Sequence, residues 1–438
     1  MNYEYISEQS RVNSLLPILM QKNVWSLDTE TTGLDPHKDK VVLLQIGSPQ
    51  VQYILDTRKV QIEPLRPFFE SEKIRKIGHN LKFDYKMIRG SFGIETEQLR
   101  DTYYAEKLLT MGVKFSGFGL AQVLEDRLEV KLSKEERSSF GDGFSYNQDF
   151  TREQLEYAAR DVIYLQPLAL KMSEAMKTAG LMDTWLLECE ALPCFADMEF
   201  AGMCFDTKAW QKLVDDNRSA SLQLEEELNK IAGNVMQRDL FGEVNVNWGS
   251  PDQVVEVLSL MGVKIRRWDR DLKREIEEII TSSNDKTLKK VKDYKIVQLL
   301  KKYRGHAIRV NMFGDSYLNA VSKDTGRLHP EVAQIGTATG RPANYAKKNS
   351  VNFLNIPREK AYRHCFMGEE NEVVETDDYS GCELRIWAEL SKDPGLTEAF
   401  QKGVDVHCYV ATKLFGKEVT KKDKERTPAK TLNFGGRI

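Results

Sequence analysis

Cysteine is scarce in this sequence: six in 438 residues, at positions 189, 194, 204, 365, 382 and 408, with no Cys-x-x-Cys pair and no zinc-finger spacing. That excludes a disulfide scaffold and a thiolate-held zinc, and reads as reduced, mostly buried thiols in a reducing compartment. No apolar run approaches the ~18 residues that span a membrane. The opening MNYEYISEQSRVNSLL lacks the basic start and long apolar stretch of a secretory signal, so the expected location is cytoplasmic, without a membrane partner. Internal repeats and low-complexity linkers are missing as well. Positive charge is not in excess, since 63 Lys and Arg face 66 Asp and Glu for a net −3. An enzyme of nucleic acid tolerates that balance only where its basic residues are concentrated locally, because neutralised phosphates supply most of the affinity.

What is present is the composition of a soluble globular chain, 41% hydrophobic and 29% charged, with 28 Gly and 13 Pro. At ~150 residues per domain, the length suggests two to four domains. Residues 1–180 read as strands alternating with helices. Residues 24–27 and 41–46 are short β-like runs, while 65–72 and 151–179 carry helical periodicity. A mixed sheet flanked by helices is the economical arrangement. From 185 to 324 the chain is charged and helical with few strand signals, and residues 285–309 hold nine Lys and Arg against two Asp, a local +7. A third region, 325–395, opens on the turn-rich TGRLHPEVAQIGTATGRP and continues through an apolar strand at 372–376 into a helix from about Glu383. Residues 396–438 read as helical with a Gly-Lys break at 416–417.

Three pairs of polar residues stand out in the first region. Asp28 and Glu30 lie two apart in VWSLDTETTG, and the strand period of two turns both carboxylates to one face. Asn80 and Asp84 in GHNLKFDYKMI, and Tyr157 and Asp161 in EQLEYAARDVIYL, are each four apart, the spacing that puts two side chains on one helix face. Any one pair reads equally well as a capped turn or a solvated helix face; three in this order seldom do. Two-metal hydrolysis of a phosphodiester takes three or four hard oxygen ligands, which hold Mg2+ or Mn2+ about 4 Å apart. One ion generates hydroxide, the other stabilises the leaving 3′-oxygen, and a nearby phenol can orient the attacking water.

DTETTG, NLKFD and YAARD together resemble the three motifs of the DEDD 3′–5′ exonuclease superfamily, in the subclass with Tyr four before the last Asp. The resemblance implies that Asp28, Glu30, Asp84 and Asp161 are catalytic metal ligands and that Tyr157 positions water. It further implies that Thr32, Gly33 and Leu34 border the 3′-terminal nucleotide, with Leu34 and Asn80 as DNA-binding positions. All four carboxylates are present, so an active exonuclease is expected.

Four later segments, GTATGR (336–341), NFLNIP (352–357), DDYSGCELR (377–385) and RTPAKTLNFG (426–435), resemble the palm and fingers motifs of family A DNA polymerases of bacteria and phages. The implied architecture is an α/β RNase H-like exonuclease domain over 1–180, followed by a helical connector and thumb over 185–324. A partial α+β palm over 325–395 and the start of the fingers over 396–438 complete it. Asp378 follows VVET, and a strand-end carboxylate can hold a catalytic metal; DDY alone would be an ordinary turn. By the resemblance, Asp378 is that ligand, and Glu383 closes over the incoming sugar and excludes a 2′-hydroxyl, which implies deoxynucleotides. Arg426, Lys430 and Phe434, spaced i, i+4 and i+8, put two cations and a ring on one helix face, suited to a triphosphate and a nascent base pair. Pro428 lacks an N–H and fits only a first turn, so the helix is predicted to start near Arg426 or Thr427. Arg341 matches a primer contact in the minor groove, and Leu354 stands where many members carry Gln. Lys289, Lys290, Lys301 and Lys302 would grip duplex backbone from the thumb, although a solvated charged helix accounts for the same run.

The sequence closes on NFGGRI, where the family's fingers helix continues toward Tyr-Gly, and it contains no His-Asp-Glu motif, the family's second palm carboxylate. The resemblance thus implies a working exonuclease beside an incomplete polymerase site that needs a second polypeptide or a longer form, with exposed apolar surface around the palm. The expected partners are primer–template DNA, single-stranded 3′ ends and, for a completed site, dNTPs. Two other functions compete. A stand-alone or RNA-processing 3′–5′ exonuclease has no use for DYSGCELR and AKTLNFG, and a DNA-binding accessory chain would bind without metal dependence.

Overall fold

The computed structural model describes residues 2–131, 146–237, 244–269, 274–344 and 351–435, which fall into two compact units, Met1–Glu372 and Val373–Ile438. The first unit opens on a six-stranded mixed sheet of β1 (Tyr3–Ile6), β2 (Val24–Thr31), β3 (Val41–Gly47), β4 (Gln52–Asp56), β5 (Arg75–Gly78) and β6 (Leu99–Asp101), in the order β1-β4-β3-β2-β5-β6. β2 runs antiparallel to β3 and parallel to β5, so the strand bearing Asp28 and Glu30 is paired on both sides. Every residue of β3 is buried, the near-continuous apolar run of a strand covered on both faces.

The helices of this part are α1 (Gln9–Leu19), α2 (Arg66–Phe69), α3 (Leu81–Phe92), α4 (Thr102–Leu109), α5 (Leu120–Leu128), α6 (Arg152–Ile163), α7 (Leu165–Ala179) and α8 (Met182–Ala201). The helix expected over 65–72 is only the single turn of α2 behind a 3-10 turn: Pro67 has no N–H to bond to the Glu63 carbonyl and so separates the two, and the Glu70 N–H closes α2 on the Arg66 carbonyl. The run 151–179 breaks at Tyr164 into α6 and α7, with Pro167 accommodated in the first turn of α7. α8 buries Trp185, Cys189, Leu192 and Ala196 in the same core as Leu81, Tyr85 and Tyr104, so the first core extends past residue 185.

Beyond it come β7 (Cys204–Phe205), α9 (Thr207–Ala232), α10 (Pro251–Leu260), β8 (Lys264–Asp269), β9 (Arg274–Ile279), α11 (Asp285–Leu288), α12 (Lys295–Phe313) and α13 (Asp315–Asn319). The long helices α9 and α12 pack along each other, and a second core forms around Trp248, Val254, Leu258 and Leu300. The antiparallel β8–β9 hairpin is a departure from the helical expectation. Its strands, KIRRWD and REIEEI, are charged and carry little apolar alternation to announce it. A third cluster is aromatic: Trp210 stacks on Tyr317 at 4.7 Å, with Phe205 and Phe366 around it. The unit ends with β10 (Val332–Ala333) paired to β11 (Ala343–Asn344), then α14 (Lys360–Arg363) and β12 (Phe366–Met367), which pairs with β7.

The second unit holds α15 (Cys382–Ser391), α16 (Pro394–Gln401), α17 (Val406–Phe415) and α18 (Arg426–Gly435). α18 begins at Arg426 with Pro428 in its first turn, as expected, and Gly416 ends α17 in the left-handed conformation. The strand expected at 372–376 does not form. The segment has no ladder partner among the described residues, and Val373 is 90% exposed. β-branched residues make a strand only against a neighbour that supplies hydrogen bonds and packing. No helix among the described residues is long and apolar enough to cross a membrane.

Candidate metal centre

The centre begins on β2. Asp28 stands opposite Gln45 of β3 and Glu30 opposite Leu43, with a register irregularity immediately after Glu30. Asp161 reaches the same place from α6, whose start is fixed by a capping box between Thr151 and Gln154. α6 lies close on β3 because residue 47 is glycine; a Cβ there would come within 2.6 Å of Val162 Cγ2. One carboxylate oxygen each of Asp28, Glu30 and Asp161 lie within 4.8 Å of one another. Tyr157 sits one turn before Asp161 on α6. Burial and the charges of Asp161, Glu30 and Asp28 push its pKa well up, so the phenol stays a neutral donor.

Asp84 approaches on α3 from the other side of β2. It is 3% exposed, and Thr29, the residue between Asp28 and Glu30, donates its hydroxyl to Asp84 Oδ1 at 2.6 Å. Burial raises the Asp84 pKa to about 7 against the opposing effect of that hydrogen bond. Asp28 is pushed up too, first by burial and then by the charges of Asp84, Asp161 and Glu30. Four acids that repel one another in a confined space are poised for a multivalent cation, whose charge reverses the penalty. Gln45 and Ser26 support the same reading. Both are fully buried with side-chain polar atoms that have no hydrogen-bond partner, and both lie on the Asp28 face, Gln45 as its cross-strand neighbour and Ser26 two residues before it. All-oxygen donors with amide and hydroxyl groups beside them suit a hard, hydrated ion. Gln45 is invisible to a search for acids, since LLQIG carries no motif of its own.

Asn80 corrects one expectation. It precedes α3 in the left-handed conformation (φ 65°), so it does not share a helix face with Asp84. Its N–H and that of Leu81 donate to Asp101 at 2.9 and 2.8 Å, and Asp101 also accepts from the Tyr103 N–H at 2.8 Å. Asp101 therefore pins the starts of α3 and α4 together. Burial lifts its pKa to about 6 despite these bonds. Leu34 projects into solvent, 77% exposed, from a tight turn in which a Cβ on Gly33 would meet the Asp39 carboxylate at 2.4 Å.

The remaining candidates fall in both units. Arg341 is exposed on a loop closed by the Gly336 N–H to Arg341 carbonyl bond, 3.0 Å, and the Arg341 N–H to Thr337 Oγ1 bond, 3.0 Å. Lys289, Lys290, Lys301 and Lys302 are all exposed, but Asp285 lies 2.6 Å from Lys289 and 3.9 Å from Lys301, which tempers the positive run. In the second unit Asp378 is exposed ahead of α15 and Glu383 in the first turn of that helix. Arg426 pairs with Asp405 at 2.8 Å, and that bond holds the Asp405 pKa down at about 2 although burial alone would raise it. Lys430 lies exposed one turn along α18, and the backbone of Phe434 completes that helix. The structure thus brings Asp28, Glu30, Asp161, Tyr157 and Asp84 together in the first unit.

Comparison with known proteins accords with this division. A 3′–5′ exonuclease profile matches residues 3–177, and the DNA polymerase family A profile matches residues 214–436. DNA polymerase I of Aquifex aeolicus is 29% identical over 460 aligned residues, covering 99% of this chain and 72% of the relative. That of Chloroflexus aurantiacus is 27% identical, covering 98% of this chain and 46% of the relative. Among solved structures, the polymerase domain of Pol1 from M. smegmatis, in complex with DNA primer-template and dNTP, superposes with a TM-score of 0.76 at 21% identity. That match covers 98% of this chain and 70% of the other. The chain therefore belongs to DNA polymerase family A and carries a 3′–5′ exonuclease domain ahead of its polymerase region.

Proposed function

We propose that this chain removes nucleotides from single-stranded 3′ ends of primer DNA in a reaction that needs Mg2+ or Mn2+, as the proofreading part of a family A polymerase in replication or repair. The observation that carries the reading is the convergence of Asp28, Glu30 and Asp161 oxygens within 4.8 Å, with Tyr157 on the same helix as Asp161. These carboxylates, with Asp84, would hold the ions, which supply an activated water and stabilise the departing oxygen when bound. Tyr157, kept neutral, donates toward the attacking water. Thr29 fixes the Asp84 carboxylate through its hydroxyl, and exposed Leu34 offers an apolar edge against the terminal base.

For synthesis the reading gives Asp378 the role of a palm metal ligand and Glu383 that of the sugar gate. Arg426 and Lys430 become the triphosphate cations, and Phe434 the ring under the new base pair. Arg341, Asn80 and Lys289, Lys290, Lys301 and Lys302 are assigned to DNA. Arg426 would have to exchange Asp405 for phosphate oxygens, a trade of one charge-assisted pair for another. The exonuclease part of the reading predicts that the chain shortens a mismatched primer when a divalent ion is supplied. The test is a 3′-mismatched primer–template with Mg2+ and all four dNTPs, beside Asp28→Ala/Glu30→Ala. Shortening by the unmodified chain alone supports the reading. An intact primer refutes the exonuclease assignment.

A further inference from the structure

On the side of α3 opposite Asp84 lies a buried ionic cluster that the exonuclease chemistry does not use. Lys82 and Lys86 flank Asp84 by two residues each way, about 200° around the helix, and both converge on Glu199 near the end of α8. Lys82 Nζ pairs with Glu199 Oε1, and Lys86 Nζ with Glu199 Oε2 at 2.5 Å. Glu199 and Lys82 are buried, and Lys86 is nearly so. The same two groups hold a third element. The Val332 N–H donates to Glu199 Oε1 at 2.7 Å, and Lys82 Nζ donates to the Val332 carbonyl at 2.5 Å.

Val332 opens β10, which leads straight into the 336–341 loop bearing Arg341. Two residues on, Gln334 donates to the side chain and the backbone carbonyl of Glu188 on α8, at 2.6 and 2.7 Å. Lys107 of α4 then donates to the Ile335 carbonyl at 2.8 Å. The base of the Arg341 loop is therefore stitched at three points to the helices that build the exonuclease core. Its first stitch is the group that backs the helix of Asp84. Buried ion pairs are poor sources of stability, because desolvation offsets their attraction, and in some proteins their role is to fix one arrangement against others.

We infer that Glu199 is a positioning residue that seats two elements at once: α3, and with it Asp84, through Lys82 and Lys86, and the Arg341 loop through Val332. Metal binding at the exonuclease centre and the grip on primer duplex are thereby coupled through one buried carboxylate. The inference rests on the functional reading above for the roles of Asp84 and Arg341.

Both outputs can be read without turnover on the full chain: Mn2+ affinity by calorimetry, and affinity for a blunt primer–template duplex by fluorescence anisotropy. In the unmodified chain duplex and Mn2+ should each tighten the other by the same factor, as linkage requires. Glu199→Gln keeps an oxygen for the Val332 N–H but removes the charge. It should weaken both affinities by about fivefold or more and abolish their mutual effect. Lys82→Met/Lys86→Met/Glu199→Gln removes both lysines together with the Glu199 charge, leaving Glu331 as the acid that had faced Lys82, and should show the same loss even if its thermal stability is normal. Leu65→Ala, in the same core beside α1, should lower the melting temperature and move neither affinity. The inference is overturned if the Glu199 variants behave like Leu65→Ala, or if one affinity moves without the other. Failure of the functional reading is seen separately, as an unmodified chain that neither binds Mn2+ nor shortens DNA, and it takes the inference down with it.

Discussion

Replacing Asp84 by Asn removes one charge from the metal centre while leaving an oxygen for the Thr29 hydroxyl, which donates to it at 2.6 Å. The native carboxyl has its pKa raised from 3.8 to about 7. Because the folded-state value lies above the unfolded one, the native chain binds the extra proton between about pH 4 and pH 7. The metal-free protein therefore loses stability as pH rises through that window. At about 1.36 kcal/mol per pKa unit, ionising Asp84 costs the metal-free fold up to about 4 kcal/mol at pH 8. Asp84→Asn escapes that cost. In EDTA at pH 8 it should be more stable than the unmodified chain by about 2 to 4 kcal/mol, read as a higher melting temperature. At pH 4 the two should melt within about 0.6 kcal/mol of each other, the carboxyl being neutral in the folded state and about half ionised in the unfolded one. Mn2+ should raise the melting temperature of the unmodified chain far more than that of Asp84→Asn, and hydrolysis by the variant should fall about a hundredfold or more. Equal stability of the two proteins in EDTA at pH 8, or a gain as large at pH 4, would refute the reasoning.

Gly47→Ala would drive a methyl toward Val162 on α6. It should cost about 1–3 kcal/mol of stability and reduce single-strand hydrolysis through displacement of Asp161, with duplex affinity unchanged by anisotropy. Lys76 is buried, donates to the carbonyls of Phe69 and Ser71, and has its pKa lowered by burial to about 7. Its folded-state pKa lies below the unfolded one, so stability should rise with pH between about 7 and 10, and Lys76→Met should flatten that slope in melting curves. In the second unit Ile386, Trp387 and Leu390 of α15 are all exposed. Ile386→Gln/Leu390→Gln should suppress aggregation in light scattering while leaving hydrolysis of single-stranded DNA at its original rate.

The residues that converge at the metal centre were legible because their signal is short-ranged. Asp28 and Glu30 share a strand face at a spacing of two, and Tyr157 and Asp161 a helix face at a spacing of four. The same rule failed for Asn80, since one left-handed residue before α3 takes it off the helix that carries Asp84. Asp101 and Gln45 were beyond reach for another reason. Each gains its significance from partners far along the chain, Asp101 from the Asn80 and Leu81 amides and Gln45 from a cross-strand register with Asp28. The edge of the first core shows the same limit: Trp185 and Cys189 read as part of a charged helical stretch, and only packing reveals that they close the sheet's helical layer. In the other direction, VVET reads as a strand by propensity, yet 372–376 pairs with no strand among the described residues, because ladder formation is a property of two segments.

The central claim is that four acids, two of them from one strand and two from facing helices, make a divalent-metal centre that cuts DNA from its 3′ end. The most direct measurement follows a 5′-labelled single strand of DNA with the full chain in Mn2+, in EDTA, and with Asp28→Ala/Glu30→Ala. The account predicts a ladder shortening by one nucleotide at a time in Mn2+ with the unmodified chain, and an uncut strand in the other two reactions. Cutting that persists in EDTA or in the double variant, or internal cleavage in place of a ladder, would contradict it.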